Sequence, residues 1–124
     1  MAKLKDNKII LSETEIKNQI KSYLKKLHPE IFWWSNSSSV FGKKGIPDIE
    51  GIHPKAGHIW IEVKRLDGKL SSHQARFINI LETYGEKVLI AHSLDDVIEW
   101  LEKLCGPASL GIKGKKIAPL KKSS

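Results

Sequence analysis

Cysteine occurs once in this chain of 124 residues, at position 105. No internal disulfide can form, and a CxxC zinc cluster is excluded. No apolar run approaches the length of a membrane span. The opening residues 1–6 lack the hydrophobic stretch of a secretory signal, so a cytoplasmic protein without membrane contact is expected. The five histidines, His28, His53, His58, His73 and His92, show neither the spacing of zinc ligands nor a His-Asn-His nuclease pattern, and are expected in loops and caps. No nucleotide cofactor is expected either: the run from Gly111 to Lys115 has neither the length nor the flanking strand of a phosphate-binding loop. Internal repeats are missing. Acidic residues also stop at Gly106, while Lys113, Lys115, Lys116, Lys121 and Lys122 follow it. Such a tail reads as a solvated end, as a grip on phosphates, or as both.

What the chain does contain is a folding composition. Hydrophobic residues make up 40%, and 21 Lys and Arg against 14 Asp and Glu leave a charge of +7. That length suits one domain with a single core, and the basic balance points to a nucleic acid as partner. Residues 1–11 read as an N-terminal segment, 12–105 as the folded domain and 106–124 as the basic tail. Ile16, Ile20, Leu24 and Leu27 recur at helical spacing behind a Ser12/Glu15 capping box, and His28-Pro29 ends that helix. Short strands are expected at 31–35, 46–52, 59–65 and 87–91. Helices are expected at 71–84, stopped by Gly85, and after Ser93, where Val97, Ile98, Leu101 and Leu104 point inward. Cys105 falls on the inward side of that last helix. The order α-β-β-β-α-β-α describes an α/β domain with a mixed sheet flanked by helices.

The chemistry concentrates between Pro47 and Lys64, where Pro47-Asp48 is followed after thirteen residues by Glu62-Val63-Lys64. Side chains alternate along a strand, so Trp60, Glu62 and Lys64 share one face and Ile59, Ile61 and Val63 the other. A turn centred on Lys55 sets Ile49 opposite Ile61 and Asp48 opposite Glu62. A shift by one residue would break the apolar match and separate the acids. The favoured register therefore brings two carboxylates together, and like charges that close need a compensator. A divalent cation is the simplest, and Lys64 a weaker one. The same residues would also suit a turn Asp and an exposed cross-strand ion pair. Lys43 and Lys44, just before Asp48, are candidate phosphate contacts, or a solubilising loop. Trp33, Trp34, Phe41 and Trp60 suit base stacking, the core, or a dimer face.

Assembled, these stretches resemble the virus-type replication-repair nuclease (VRR-NUC) domain of the PD-(D/E)xK superfamily. The resemblance runs from about Glu15 to Leu104. It rests on Gly45-Ile46-Pro47-Asp48-Ile49, Ile59-Trp60-Ile61-Glu62-Val63-Lys64, Gly68 to Gln74, and Gly85-Glu86-Lys87-Val88. It implies a restriction-endonuclease-like PD-(D/E)xK core. It further implies that Asp48, Glu62 and the Val63 carbonyl are ligands to Mg²⁺ or Mn²⁺, and that Lys64 is the catalytic lysine. Gln74 and Glu15 would be accessory catalytic residues, although each is also the fourth residue of a capping box. The chain looks like the small stand-alone, phage-type members, which implies a homodimer cutting branched DNA such as Holliday junctions inside a bacterial or phage-infected host cell. A non-catalytic DNA-binding module on the same fold, a metal-independent RNA nuclease and an oligomeric scaffold remain the alternatives.

Overall fold

Ser12 ends the extended backbone that precedes the first helix, and its hydroxyl accepts the Glu15 N–H while the Glu15 carboxylate accepts the Ser12 N–H. This reciprocal cap satisfies two donors that a helix start leaves unpaired. A computed structural model describes residues 3–5, 8–36 and 44–106. Its elements run β1 (Lys3–Lys5), β2 (Lys8–Ile10), α1 (Glu13–Leu27), β3 (Phe32–Ser35), β4 (Ile49–His53), β5 (Gly57–Val63), α2 (Ser72–Thr83), β6 (Lys87–Ala91) and α3 (Leu94–Cys105). The order expected from the sequence is present, preceded by a two-stranded β1–β2 hairpin that the sequence did not announce.

The four-stranded sheet has the order β3-β4-β5-β6, with β3, β4 and β5 antiparallel and β6 parallel to β5. Helix α2 supplies the crossover that a parallel neighbour requires. Ile49 pairs with Ile61 and Glu50 with Trp60, which is the register that the apolar alternation favours. Strand boundaries differ from expectation, and β5 ends at Val63, two residues short of the expected 65. β4 begins at Ile49 and not at residue 46, because Pro47 has no N–H to give a ladder. Asp48 is consequently not a cross-strand partner of Glu62. β5 starts two residues earlier than expected, at Gly57, whose φ of +81° suits the tight three-residue turn after His53. The His53 ring closes that turn by accepting the N–H groups of Lys55 and Ala56. His53 and His58 therefore belong to strands and not to loops.

One face of the sheet carries the core. Ile16, Ile20 and Leu24 of α1 and Val97 and Leu101 of α3 are buried in one cluster with Ile49, Ile59, Ile61 and Val63. The other face meets α2, through Phe77 against Trp60 and Gln74 against Glu62. The approach to Asp48 is set by Gly45. Its φ is +87°, and a Cβ there would lie 2.3 Å from the His73 carbonyl oxygen. Gly45 is thus pressed onto the first turn of α2. A Gly45→Ala substitution should destabilise the fold by at least about 1–2 kcal/mol from the left-handed backbone alone, and more from the overlap. Urea unfolding of the variant against wild type measures the loss.

Candidate active site

The end of the β4–β5 ladder creates the site. Beyond Ile49↔Ile61 the strands no longer pair, and the Asp48 carboxylate takes the place of a ladder carbonyl. Its Oδ2 accepts the Val63 N–H at 2.8 Å. Asp48 itself is held from the far side by Asn36, whose backbone N–H donates to the Asp48 carbonyl at 2.7 Å. The Asn36 side-chain amide donates to the Pro47 carbonyl at 2.9 Å and to Glu50 at 2.8 Å. Acceptors on Pro47, Asp48 and Glu50 are thus tied to one asparagine, so the loop entering β4 has little freedom.

Glu62 lies on the α2 face of β5 and is 1% exposed. Its Oε2 accepts from Gln74 Nε2 at 2.9 Å. Its Oε1 is buried with no hydrogen-bond partner among the described residues. An unsatisfied buried carboxylate oxygen in a native fold calls for an explanation. Burial first, and then the neighbouring Asp48 charge, push the Glu62 carboxyl up to about 8, against the pull of Lys64. Burial disfavours the ionised form, and so does a like charge nearby.

The lysines are paired with acids from the opposite element. Lys64 Nζ is 3.4 Å from Glu13 Oε2, and Lys17 Nζ is 3.4 Å from Asp48 Oδ1. Glu13 and Lys17 stand one turn apart on α1, on adjoining positions of one helix face. Each carboxylate of the Asp48/Glu62 pair thus has one oxygen fixed by the protein. The remaining two, Asp48 Oδ1 and Glu62 Oε1, meet only an ammonium in the first case and no donor in the second.

Such a set suits a hard cation. Two carboxylate oxygens, supplemented by a backbone carbonyl and water, are the ligands that Mg²⁺ accepts, since it keeps several waters. The Val63 N–H points at Asp48 while the Lys64 N–H points at Ala91. In an extended strand a residue's carbonyl lies on the same edge as its N–H, so the Val63 carbonyl opens on the Asp48 side. Among the described residues no group of three or more His, Cys, Asp or Glu side chains is placed to hold a metal, so a cation here would depend on that carbonyl and on solvent.

Asp48, Glu62, Val63, Lys64 and Gln74 are therefore neighbours. Gln74 makes the cap, its Oε1 accepting the Ser71 N–H, and its Nε2 also donates to Glu62, which places it beside the carboxylate pair. Glu15 uses a carboxylate oxygen on its cap, and the α1 acid paired with Lys64 is Glu13. Lys44 is exposed in the turn before Gly45. Lys43, Lys113, Lys115 and Lys116 lie outside the described residues. Sequence reasoning missed Glu13, Lys17 and Asn36. The first two could have been found, because they flank the apolar Ile16/Ile20 stripe that turns α1 toward the sheet.

A second polar network adjoins the site on the same face. His58 lies 3.0 Å from Glu50 and stacks on Trp60 with ring centroids 4.5 Å apart. Trp60 Nε1 donates to Glu86 at 2.8 Å. These contacts satisfy Glu50, which is also buried, and fix the strand that carries Glu62.

No family model matches the chain, and no curated protein does. Two solved structures share its fold. One, named "VRR_NUC domain", superposes with a TM-score of 0.61 at 24% identity, covering 73% of this chain and 94% of its own. The other, named "VRR_NUC domain protein", gives a TM-score of 0.63 at 19% identity, covering 81% and 98%. The chain has the VRR-NUC fold over nearly the whole length of both.

The raised Glu62 carboxyl has a consequence for stability. With a folded value of about 8 against 4.5 for a free carboxyl, the folded state binds the extra proton between those limits. Its stabilising effect is complete below pH 4.5 and is lost as pH rises through 8. In EDTA, wild type should lose roughly 1 kcal/mol relative to Glu62→Gln between pH 7 and 9. Urea midpoints for the two proteins at both pH values check it.

Proposed function

We propose that this chain is a divalent-metal-dependent endodeoxyribonuclease that hydrolyses phosphodiester bonds, selective for branched DNA such as Holliday junctions and acting as a homodimer. One observation carries the reading: a buried carboxylate, Glu62, keeps an open oxygen beside a second carboxylate whose own free oxygen faces an ammonium. A protein that only bound DNA would have no use for buried acid facing phosphate. The fold shared with structures named VRR_NUC supports the nuclease class. The charge of +7 supports a polyanionic substrate.

In this reading Asp48, Glu62 and the Val63 carbonyl hold Mg²⁺ or Mn²⁺. Held there, such a cation would supply polarisation of a phosphate and a water of lowered pKa. The chain's own residues do the rest. Gln74 keeps Glu62 in one rotamer. The Val63 N–H holds Asp48 Oδ2 so that Oδ1 faces outward. Lys64, just beyond the end of β5 and two residues from Glu62, steadies the attacking water or the charge developing on the phosphate, and Glu13 holds its ammonium until DNA arrives. Lys43, Lys44 and the lysines at 113, 115 and 116 are proposed backbone grips, which position DNA without reading its sequence.

Branched-DNA selectivity and the dimer rest on the likeness to small stand-alone VRR-NUC proteins. An aromatic row on the α2 side of the sheet favours the dimer. Phe32 is 71% and Ile52 47% exposed, and Trp34 lies 5.5 Å from Phe32.

Asp48→Asn keeps an acceptor for the Val63 N–H but removes the charge. Its cleavage of a labelled four-way junction with Mg²⁺ should fall by a factor of about 10³ or more, while DNA affinity in EDTA stays within about threefold. Wild-type cleavage should stop in EDTA and return with Mn²⁺. Cleavage by Asp48→Asn at the wild-type rate would reject the metal site, and wild-type cleavage persisting in EDTA would reject the metal dependence.

A further inference from the structure

The oxygen of Asp48 that a metal would need is already taken by a cation of the chain itself. Asp48 Oδ2 is committed to the Val63 N–H, and the ammonium of Lys17 lies 3.4 Å from Oδ1. Lys17 comes from α1, one turn after Glu13, and its side chain is 31% exposed, so it can leave without opening the core. Ile16 and Ile20, both to one side of it on the helix, are buried, so Lys17 leaves α1 at the border of the buried face. Lys64, the other ammonium at the site, is held by Glu13 and not by Asp48.

We infer that Lys17 is the resident counter-ion of the metal position: it neutralises Asp48 in the metal-free protein, is displaced when a divalent cation binds, and then becomes a ligand to a DNA phosphate. This rests on the proposed metal-dependent reading of the same site. An ammonium and a divalent cation drawn to one carboxylate oxygen repel each other at that distance, so binding of one favours release of the other. The released side chain remains at the mouth of the site, where the nearest uncompensated anion is the phosphate of the substrate. A lysine suits this exchange better than an arginine, since it is a point charge on a flexible stem and makes no bidentate fork with the carboxylate.

Titration of the full chain with Mn²⁺ alone, followed by calorimetry, tests the first half. Lys17→Met should bind Mn²⁺ about tenfold more tightly than wild type. Lys17→Arg should bind Mn²⁺ no more tightly than wild type, whereas Lys26→Met, which removes the same charge from an exposed position further along α1, should stay near the wild-type value. Equal affinity in wild type and Lys17→Met overturns the inference while leaving the metal site standing. No Mn²⁺ uptake by any of the proteins rejects the site itself.

Salt-dependent DNA binding tests the second half. With Ca²⁺ as the cation, Lys17→Met should reduce the slope of log affinity against log salt by about one relative to wild type. In EDTA, where Lys17 is tied to Asp48, the slopes of the two proteins should coincide. The same reduction in both conditions, or in neither, would overturn the phosphate role.

Discussion

The burial of a carboxylate beside another carboxylate is the constraint on which this molecule turns. A group as hydrophilic as Glu62 is placed at 1% exposure only at a free-energy cost, and Asp48 adds to it. The chain meets that cost with the proton that burial retains on Glu62 and with a hydrogen bond from Gln74. It leaves one oxygen unmatched. Much of the rest of the architecture can be read as the means of keeping that arrangement from relaxing.

The means are mostly backbone. Gly45 lets the loop before Asp48 lie against α2 so closely that no side chain fits between. Asn36 ties the Pro47 and Asp48 carbonyls to the edge of β3. Ser71 caps α2 with the same glutamine that reaches Glu62, so the helix cannot move without moving the carboxylate's partner. Placement of this kind, on strands and helix starts and not on long loops, limits the freedom of the acids in the way a functional centre requires. The neighbouring His58–Trp60 stack and the bonds to Glu50 and Glu86 brace β5 along its length in a similar way.

How much of this is legible in the bare sequence depends on whether local pattern or long-range contact decides it. The capping boxes at Ser12 and Ser71, the inward stripe of α3 and the extent of β6 are local, and they appear where periodicity and cap chemistry put them. The β4–β5 register follows from matching Ile49 to Ile61, because a slip of one residue would turn the apolar face to water. The boundaries at Asp48 and Gly57 are less legible. There a proline without an N–H and a glycine with positive φ override the apolar run. The partners of the lysines cannot be read at all from the motif. Whether Lys64 meets Glu62, Glu13 or Glu15 depends on how α1 is rotated against the sheet. The β1–β2 hairpin has no strong alternation or turn dipeptide to announce it. The pairing of Glu50 with Asn36 and His58 likewise joins three elements that share no pattern.

Charge arithmetic connects the resting site to the proposed chemistry. Glu13 and Asp48 balance Lys17 and Lys64, and a carboxyl held at about 8 leaves Glu62 mostly uncharged at neutral pH. The metal-free centre is therefore close to neutral, which is the state a partly buried cluster tolerates best. If a divalent cation enters and Glu62 gives up its proton, two positive charges and one negative are added. The centre then carries one net positive charge, the complement of a single phosphodiester. On the proposed reading, a loaded centre of that sign would attract a phosphate, whereas the unloaded, near-neutral centre would attract it far less.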